Sequence, residues 1–123
     1  MQKIAVLSSS EGLRFQSLID SKKSGQLRAE LVCLITDRAD CGAAQKARAS
    51  GIRVYYFDGR EVDPKVYDEE VVATLDFFKV DWVMVDGYGR DLTPLLAERV
   101  EGRLIRLDSD ESVPQFIDRI SKG

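Results

Sequence analysis

KIAVLSSSEGLRFQSLID, residues 3–20, decides how this chain folds. Within it Ile4-Ala5-Val6-Leu7 is an apolar run without alternation, flanked by polar residues, the pattern of a parallel strand buried on both faces. Ser8 to Gly12 make a small polar turn, and Phe15, Leu18 and Ile19 then recur at helical spacing on one side. The stretch is strand, tight loop, helix. First-turn amides of a helix lack intrahelical partners and lie at the positive end of its dipole, so the loop is a seat for an anion. Arg14 either pairs with such an anion bidentately or lies on a solvated helix face. Short polar turns of this kind also occur in α/β domains that bind nothing there. Gly12 stands alone, so the G-x-G-x-x-G dinucleotide fingerprint is missing and Asp37 at the tip of the second strand does not by itself argue for NAD. A Walker loop is missing too.

Outward from this stretch, 123 residues are enough for one domain with a real core, here residues 1–123, but not for two. Hydrophobic residues at 44% and charged ones at 32% suit a globular protein in water rather than a disordered one. No apolar run approaches the ~20 residues of a membrane span, and the first strand is too short and wrongly flanked for a signal peptide, so a cytoplasmic protein without a membrane partner is expected. The formal charge of −3 argues against a broad nucleic-acid surface. Cys33 and Cys41 match neither C-x-x-C nor zinc-knuckle spacing, and Cys33 belongs to a predicted strand core. Two isolated thiols fit a reducing compartment. The chain has no histidine, which excludes Ser-His and Cys-His nucleophile pairs, a histidine general base and His-ligated metal; no metal site is expected.

Further along, Ser24-Gly25 stops the first helix, and Leu31 to Ile35 is a second wholly apolar strand. An alanine-rich helix from about Cys41 to Ser50, with Asp40 as N-cap, ends at Gly51 before the strand Val54 to Phe57. Asp63-Pro64 is a cap followed by proline at the first helical position, and Tyr67, Val71, Leu75 and Phe78 trace the buried stripe of the next helix. Trp82 to Val85 is strand four. Thr93-Pro94 repeats the cap device before a short helix, and Leu104 to Leu107 is strand five. Ser112 with Gln115 forms a capping box for a closing helix whose apolar face is Val113, Phe116, Ile117 and Ile120.

Strict alternation with short apolar strands predicts a Rossmann-like α/β fold: an open parallel sheet of order 3-2-1-4-5 with helices on both faces. That order places the C-terminal strand ends on one edge, and ligands of such sheets bind beside the switch point, here between strands one and four. Gathered there are Ser8 to Arg14, Asp37-Arg38, Asp58-Gly59-Arg60, Asp86 to Arg90, and Arg106 with Asp108. Polar strand tips are also what solvent demands. In Tyr88-Gly89-Arg90 a tyrosine face and a guanidinium are expected beside the crevice.

The chain resembles the glycinamide ribonucleotide formyltransferase family, purine-pathway enzymes that use 10-formyltetrahydrofolate. Ser9-Ser10-Glu11-Gly12-Leu13-Arg14-Phe15-Gln16 stands where the family has S-G-N-G-S-N-[LF]-Q, and Asp58-Gly59-Arg60-Glu61 looks like its D-S-R-E. Gly87 to Pro94 looks like its folate-side G-F-M-R-I-L-[ST]-P, and Gly102 to Asp108 meets the start of G-R-[IL]-[IL]-N-I-H-P-S-L-L-P. The resemblance covers Lys3 to about Asp108 and so the N-terminal, nucleotide-binding half. It implies a phosphate-binding set of Ser9, Ser10, Gly12, Leu13 and Arg14, and a folate-side set of Arg60, Tyr88, Gly89, Arg90, Asp91 and Leu92.

The departures fall on the chemistry. The family's catalytic Asn position is Arg106 here and its His position is Asp108, and the later Asp has no counterpart in 123 residues. A carboxylate where an oxyanion needs a donor repels the developing charge, and loss of one such donor costs on the order of 10²–10³ in rate. The expectation is a catalytically inactive, truncated formyltransferase-like protein that binds a small phosphate-bearing ligand, nucleotide or folate-related. The alternatives are an active enzyme completed by a partner subunit, with 10-formyltetrahydrofolate as cofactor, and an unrelated phosphate- or nucleotide-binding module. A homodimer is expected through the fifth strand and the closing helix, whose apolar face should be incompletely covered by one chain.

Overall fold

Strand and helix alternate without exception through residues 1–109 and 112–122, which the computed structural model describes. The elements are β1 (Gln2–Leu7), α1 (Leu13–Lys23), β2 (Ala29–Thr36), α2 (Gly42–Ala49), β3 (Arg53–Tyr56), α3 (Pro64–Phe78), β4 (Trp82–Val85), α4 (Pro94–Arg99), β5 (Leu104–Arg106) and α5 (Ser112–Lys122). All the strand pairs are parallel and the order is β3-β2-β1-β4-β5, as the alternation predicts. β1 is the central strand. Its Leu7 is level with Ile35 of β2 and Val85 of β4, so three strand tips end together.

The unalternating apolar run of β1 has a direct structural cause, because each face of the sheet carries helices. Ile4 and Val6 pack with Phe15 and Leu18 of α1, the alanines of α2, and Val113, Phe116 and Ile120 of α5. Ala5 and Leu7 pack on the other face with Tyr67, Val71 and Leu75 of α3 and Leu96 of α4. Ile4 to Leu7 are all fully buried, and each large apolar side chain so buried contributes about 1.5–3 kcal/mol. Cys33 is buried in the second of these cores, as its strand position implies.

Local helix signals fare unevenly. Asp63 caps α3 as expected, its Oδ1 accepting from Lys65 N at 2.8 Å with Pro64 at the first helical position. Asp40 does not cap α2. The helix begins one residue later than that role needs, with Cys41 at the N-cap and no side-chain cap bond. Thr93 stands at the N-cap of α4 without capping it: its hydroxyl is buried and has no hydrogen-bond partner, while its amide donates to Asp68 Oδ2 at 2.9 Å. The expected Ser112–Gln115 capping box is absent as well, because Ser112 lies inside α5, where its hydroxyl donates to Ser109 O at 2.5 Å.

The closing helix corrects a further expectation. Its apolar face is covered by its own chain, Val113, Phe116 and Ile120 being at most 6% exposed and only Ile117 half-buried. The cover is built on Trp82, whose ring meets Phe116 edge-on at 5.8 Å between centroids. Arg103 and Arg119 each lie 5.0 Å from the Trp82 ring centroid, and Gln2 ties α5 to β4 by donating to Ile120 O and accepting from Trp82 Nε1. β5 remains an edge strand.

Candidate functional site

The tips of β1, β4 and β5 and the start of α1 enclose an open cleft of about 570 Å³ at the predicted switch point. Ser10, Glu11, Gly12, Leu13 and Arg14 form one wall, Val85 to Tyr88 the floor, and Arg106, Leu107 and Asp108 the other wall. Its charged side chains are Glu11, Asp86 and Asp108 against Arg14 and Arg106. Among the described residues no cluster of three or more His, Cys, Asp or Glu could hold a metal ion.

The α1 wall is shaped by two contacts. Gly12 precedes the helix with φ at +71°, and a Cβ there would lie 2.8 Å from Ala43 Cβ and 2.9 Å from Ala43 Cα. Glycine is thus required where α1 and α2 come together, whatever the loop binds. The second contact is Asp86, which is 4% exposed. Its Oδ2 accepts from Arg14 N at 3.1 Å and from Phe15 N at 2.9 Å, so it caps α1 from the end of β4. Two of the amides expected to seat a phosphate are therefore already taken. In the sequence Asp86 is one polar strand tip among several, with nothing to mark it out. An Asp-Gly after an apolar strand looks like any solvated tip, and the amides it meets lie 71 and 72 residues away.

Ser10 and Ser9 serve the loop in different ways. Ser10 Oγ donates to Asp86 O at 3.1 Å and accepts from Gly12 N at 3.3 Å. Ser9 Oγ donates to Asp37 Oδ1 at 2.5 Å and accepts from Gly89 N at 3.1 Å, joining the tip of β2 to the loop after β4. Ser9 borders a neighbouring polar hollow rather than the cleft. Leu13 is 65% exposed at the lip. Arg106 and Asp108 are exposed on a rim shared with a smaller cavity of about 220 Å³.

The folate-side set is scattered. Tyr88 lines the cleft, but its hydroxyl is buried, as is that of Tyr67, and neither has a partner in hydrogen-bond geometry. Burial is the main cause that pushes both phenols above their ordinary range; the neighbouring phenol adds to the rise at Tyr88 and opposes it at Tyr67. The Arg90 guanidinium lies 3.7 Å from the Tyr67 ring centroid and against Gly59, where any Cβ would collide with it. Arg60 is 86% exposed and pairs with Asp58 at 2.9 Å, holding that carboxyl down at about 2 through its side-chain hydrogen bond. Gly89 and Asp91 are exposed, and Leu92 packs on the core with Tyr88. The structure brings together Ser10, Gly12, Leu13, Arg14, Tyr88, Arg106 and Asp108 around the cleft. Arg60, Gly89, Arg90, Asp91 and Leu92 do not line it. Arg90 is stacked on Tyr67, and Leu92 packs against the core.

The pattern of the Formyl transferase family matches residues 2–108, the whole of the sheet and every wall of the cleft. The chain belongs to the formyl transferase family. It is 38% identical over 88 residues to the chloroplastic phosphoribosylglycinamide formyltransferase of Vigna unguiculata, covering 71% of this chain and 28% of that protein. It is 30% identical over 108 residues to phosphoribosylglycinamide formyltransferase of Haemophilus influenzae, covering 87% of this chain and 51% of that one. The crystal structure of phosphoribosylglycinamide formyltransferase from Bacillus halodurans superposes with a TM-score of 0.81 at 28% identity, over 96% of this chain and 66% of that chain. The chain thus spans about half the length of its Haemophilus relative, and the match lies in the N-terminal part.

Proposed function

We propose that this formyl transferase family member is a binding protein rather than a transferase, taking a small phosphate-bearing ligand of the nucleotide class in the cleft at the C-terminal edge of the sheet. The observation that carries the reading is the far wall, where the exposed Asp108 carboxylate and Arg106 guanidinium share the rim at the positions of the family's catalytic His and Asn. A carboxylate there opposes the negative charge that develops on a formyl oxygen during transfer. Arg14 and Arg106 supply the positive charge that a phosphate needs on opposite walls.

The test has two parts. Isolated protein is assayed for formyl transfer from 10-formyltetrahydrofolate to glycinamide ribonucleotide; turnover above background that is lost in Arg106→Ala or Asp108→Ala overturns the reading. Ribose 5-phosphate and a purine nucleotide are then titrated against melting temperature. Ligand at about 100 times its Kd adds roughly 2.7 kcal/mol of stability, and no shift with either removes the ligand assignment.

A second reading, transfer in a site that a second chain completes, is favoured by the edge strand β5, whose backbone groups are open to pairing. A homodimer would use the same edge, since the α5 face is covered; light scattering at tens of micromolar distinguishes the 13.8 kDa monomer from twice that mass.

A further inference from the structure

We propose that Asp86 sets the charge selectivity of the cleft: its carboxylate is a built-in anion that occupies the α1 amides and competes with a ligand's phosphate for them. The inference rests on the proposed phosphate-bearing ligand and adds a residue that governs how that phosphate is met.

The observation is a contact between two distant parts of the chain. Asp86 Oδ2 receives both Arg14 N and Phe15 N, and the residue is almost wholly buried although it lies in the floor of an open cleft. Its backbone is pinned on both sides, the amide donating to Leu7 O at 3.0 Å and the carbonyl accepting from Ser10 Oγ at 3.1 Å. The carboxylate is therefore presented to the helix start from the residue that follows β4, pinned to Leu7 of β1 and to Ser10 of the loop before α1. A helix N-terminus satisfied in this way offers little to a second anion, because the dipole and the amide protons already face a formal negative charge.

An incoming phosphate has two routes. It displaces Asp86 from two charge-assisted hydrogen bonds, or it stays outward on the guanidinium groups of Arg14 and Arg106 while facing the carboxylates of Glu11, Asp86 and Asp108. A tethered competitor acts at an effective concentration of about millimolar or more. Inorganic phosphate should accordingly bind the native chain weakly and leave the amides of Arg14 and Phe15 undisturbed.

Inorganic phosphate titrated by two-dimensional amide NMR at constant ionic strength tests this, using the full chain, Asp86→Ala, Asp86→Asn and, as a control for charge alone, Glu11→Gln. Glu11 lines the same cleft and carries the same charge but is not on these amides. The expected result is a phosphate Kd at least about tenfold lower in Asp86→Ala, with the Arg14 and Phe15 resonances moving most. Asp86→Asn, which keeps the shape and an uncharged acceptor, should show a smaller gain, yet more than the gain of at most about threefold in Glu11→Gln. If Asp86→Ala does not fold, Asp86→Asn decides. Measurable but equal affinity in the native chain and the Asp86 variants overturns the inference while leaving the phosphate reading intact, as does an equal gain in Glu11→Gln. Failure of every variant to bind phosphate overturns both.

Discussion

Replacing Gly12 by alanine should cost more than replacing Gly51, and the reason is packing rather than ligand binding. Two terms add. Alanine at φ +71° is in the left-handed region, which costs roughly 1–2 kcal/mol for an L-residue, less about 0.4–1 kcal/mol recovered from a stiffer unfolded chain. The new methyl would also sit 2.8 Å from Ala43 Cβ and 2.9 Å from Ala43 Cα. Since Cα is backbone, no rotamer change relieves the second contact and α2 must shift, an overpacking cost of about 1–3 kcal/mol. The sum is roughly 1–4.6 kcal/mol, or a fall in Tm of about 4–18 °C for a domain of this size. Gly51→Ala is the matched control, because Gly51 has φ +73° with nothing within 4 Å of its would-be Cβ and so reports the strain alone. Urea and thermal unfolding of the two variants beside the native chain give the difference directly. If Gly12→Ala falls within about 0.5 kcal/mol of Gly51→Ala, the close α1–α2 approach is wrong, and Gly12 has to be explained by the loop's ligand instead.

Other expectations are independent of that one. Asp58 is held at about 2 by Arg60, so the stability it lends is present above the ordinary carboxylate pKa of about 4 and is lost as pH falls through its folded value; carbonyl NMR should show it titrating near that value, and Arg60→Ala should return it toward the ordinary one. Burial pushes the Cys33 thiol up to about 12, so a thiol reagent at pH 8 should modify the half-buried Cys41 in the native protein and reach Cys33 only on unfolding; rapid loss of both thiols contradicts the buried strand. Tyr88→Phe removes a buried hydroxyl that lacks a partner and should leave stability unchanged or raise it by about 1 kcal/mol; a loss of that size would show that the hydroxyl is bonded. Because the folded pKa values of Tyr67 and Tyr88 are raised, their contribution is complete below about pH 10 and lost as pH rises above it, which an alkaline melt followed at the tyrosinate absorbance measures.

The sequence by itself determined the architecture. Four- and five-residue apolar runs such as Ile4 to Leu7 and Leu31 to Ile35, separated by helical stripes such as Tyr67, Val71 and Leu75, leave few topologies, and the sheet order follows from them. These signals are repeated along each element, so a boundary error of one residue changes nothing about which faces are buried. The Asp63-Pro64 cap was legible for a related reason, two local signals agreeing at one place. Asp40 and Ser112 misled because a cap depends on which single residue has the last non-helical backbone angles, and a shift of one residue cancels it, whereas Thr93 holds the N-cap position but its hydroxyl makes no cap bond. The site itself was decided by tertiary structure. Arg60 and Arg90 look equivalent in sequence, but the room left at Gly59 and the face of Tyr67 hold Arg90, while Arg60 finds only Asp58 next to it. Asp86 is the extreme case. Its role is a pair of hydrogen bonds to amides more than 70 residues earlier, which exist only because β4 lies beside β1 and ends level with it.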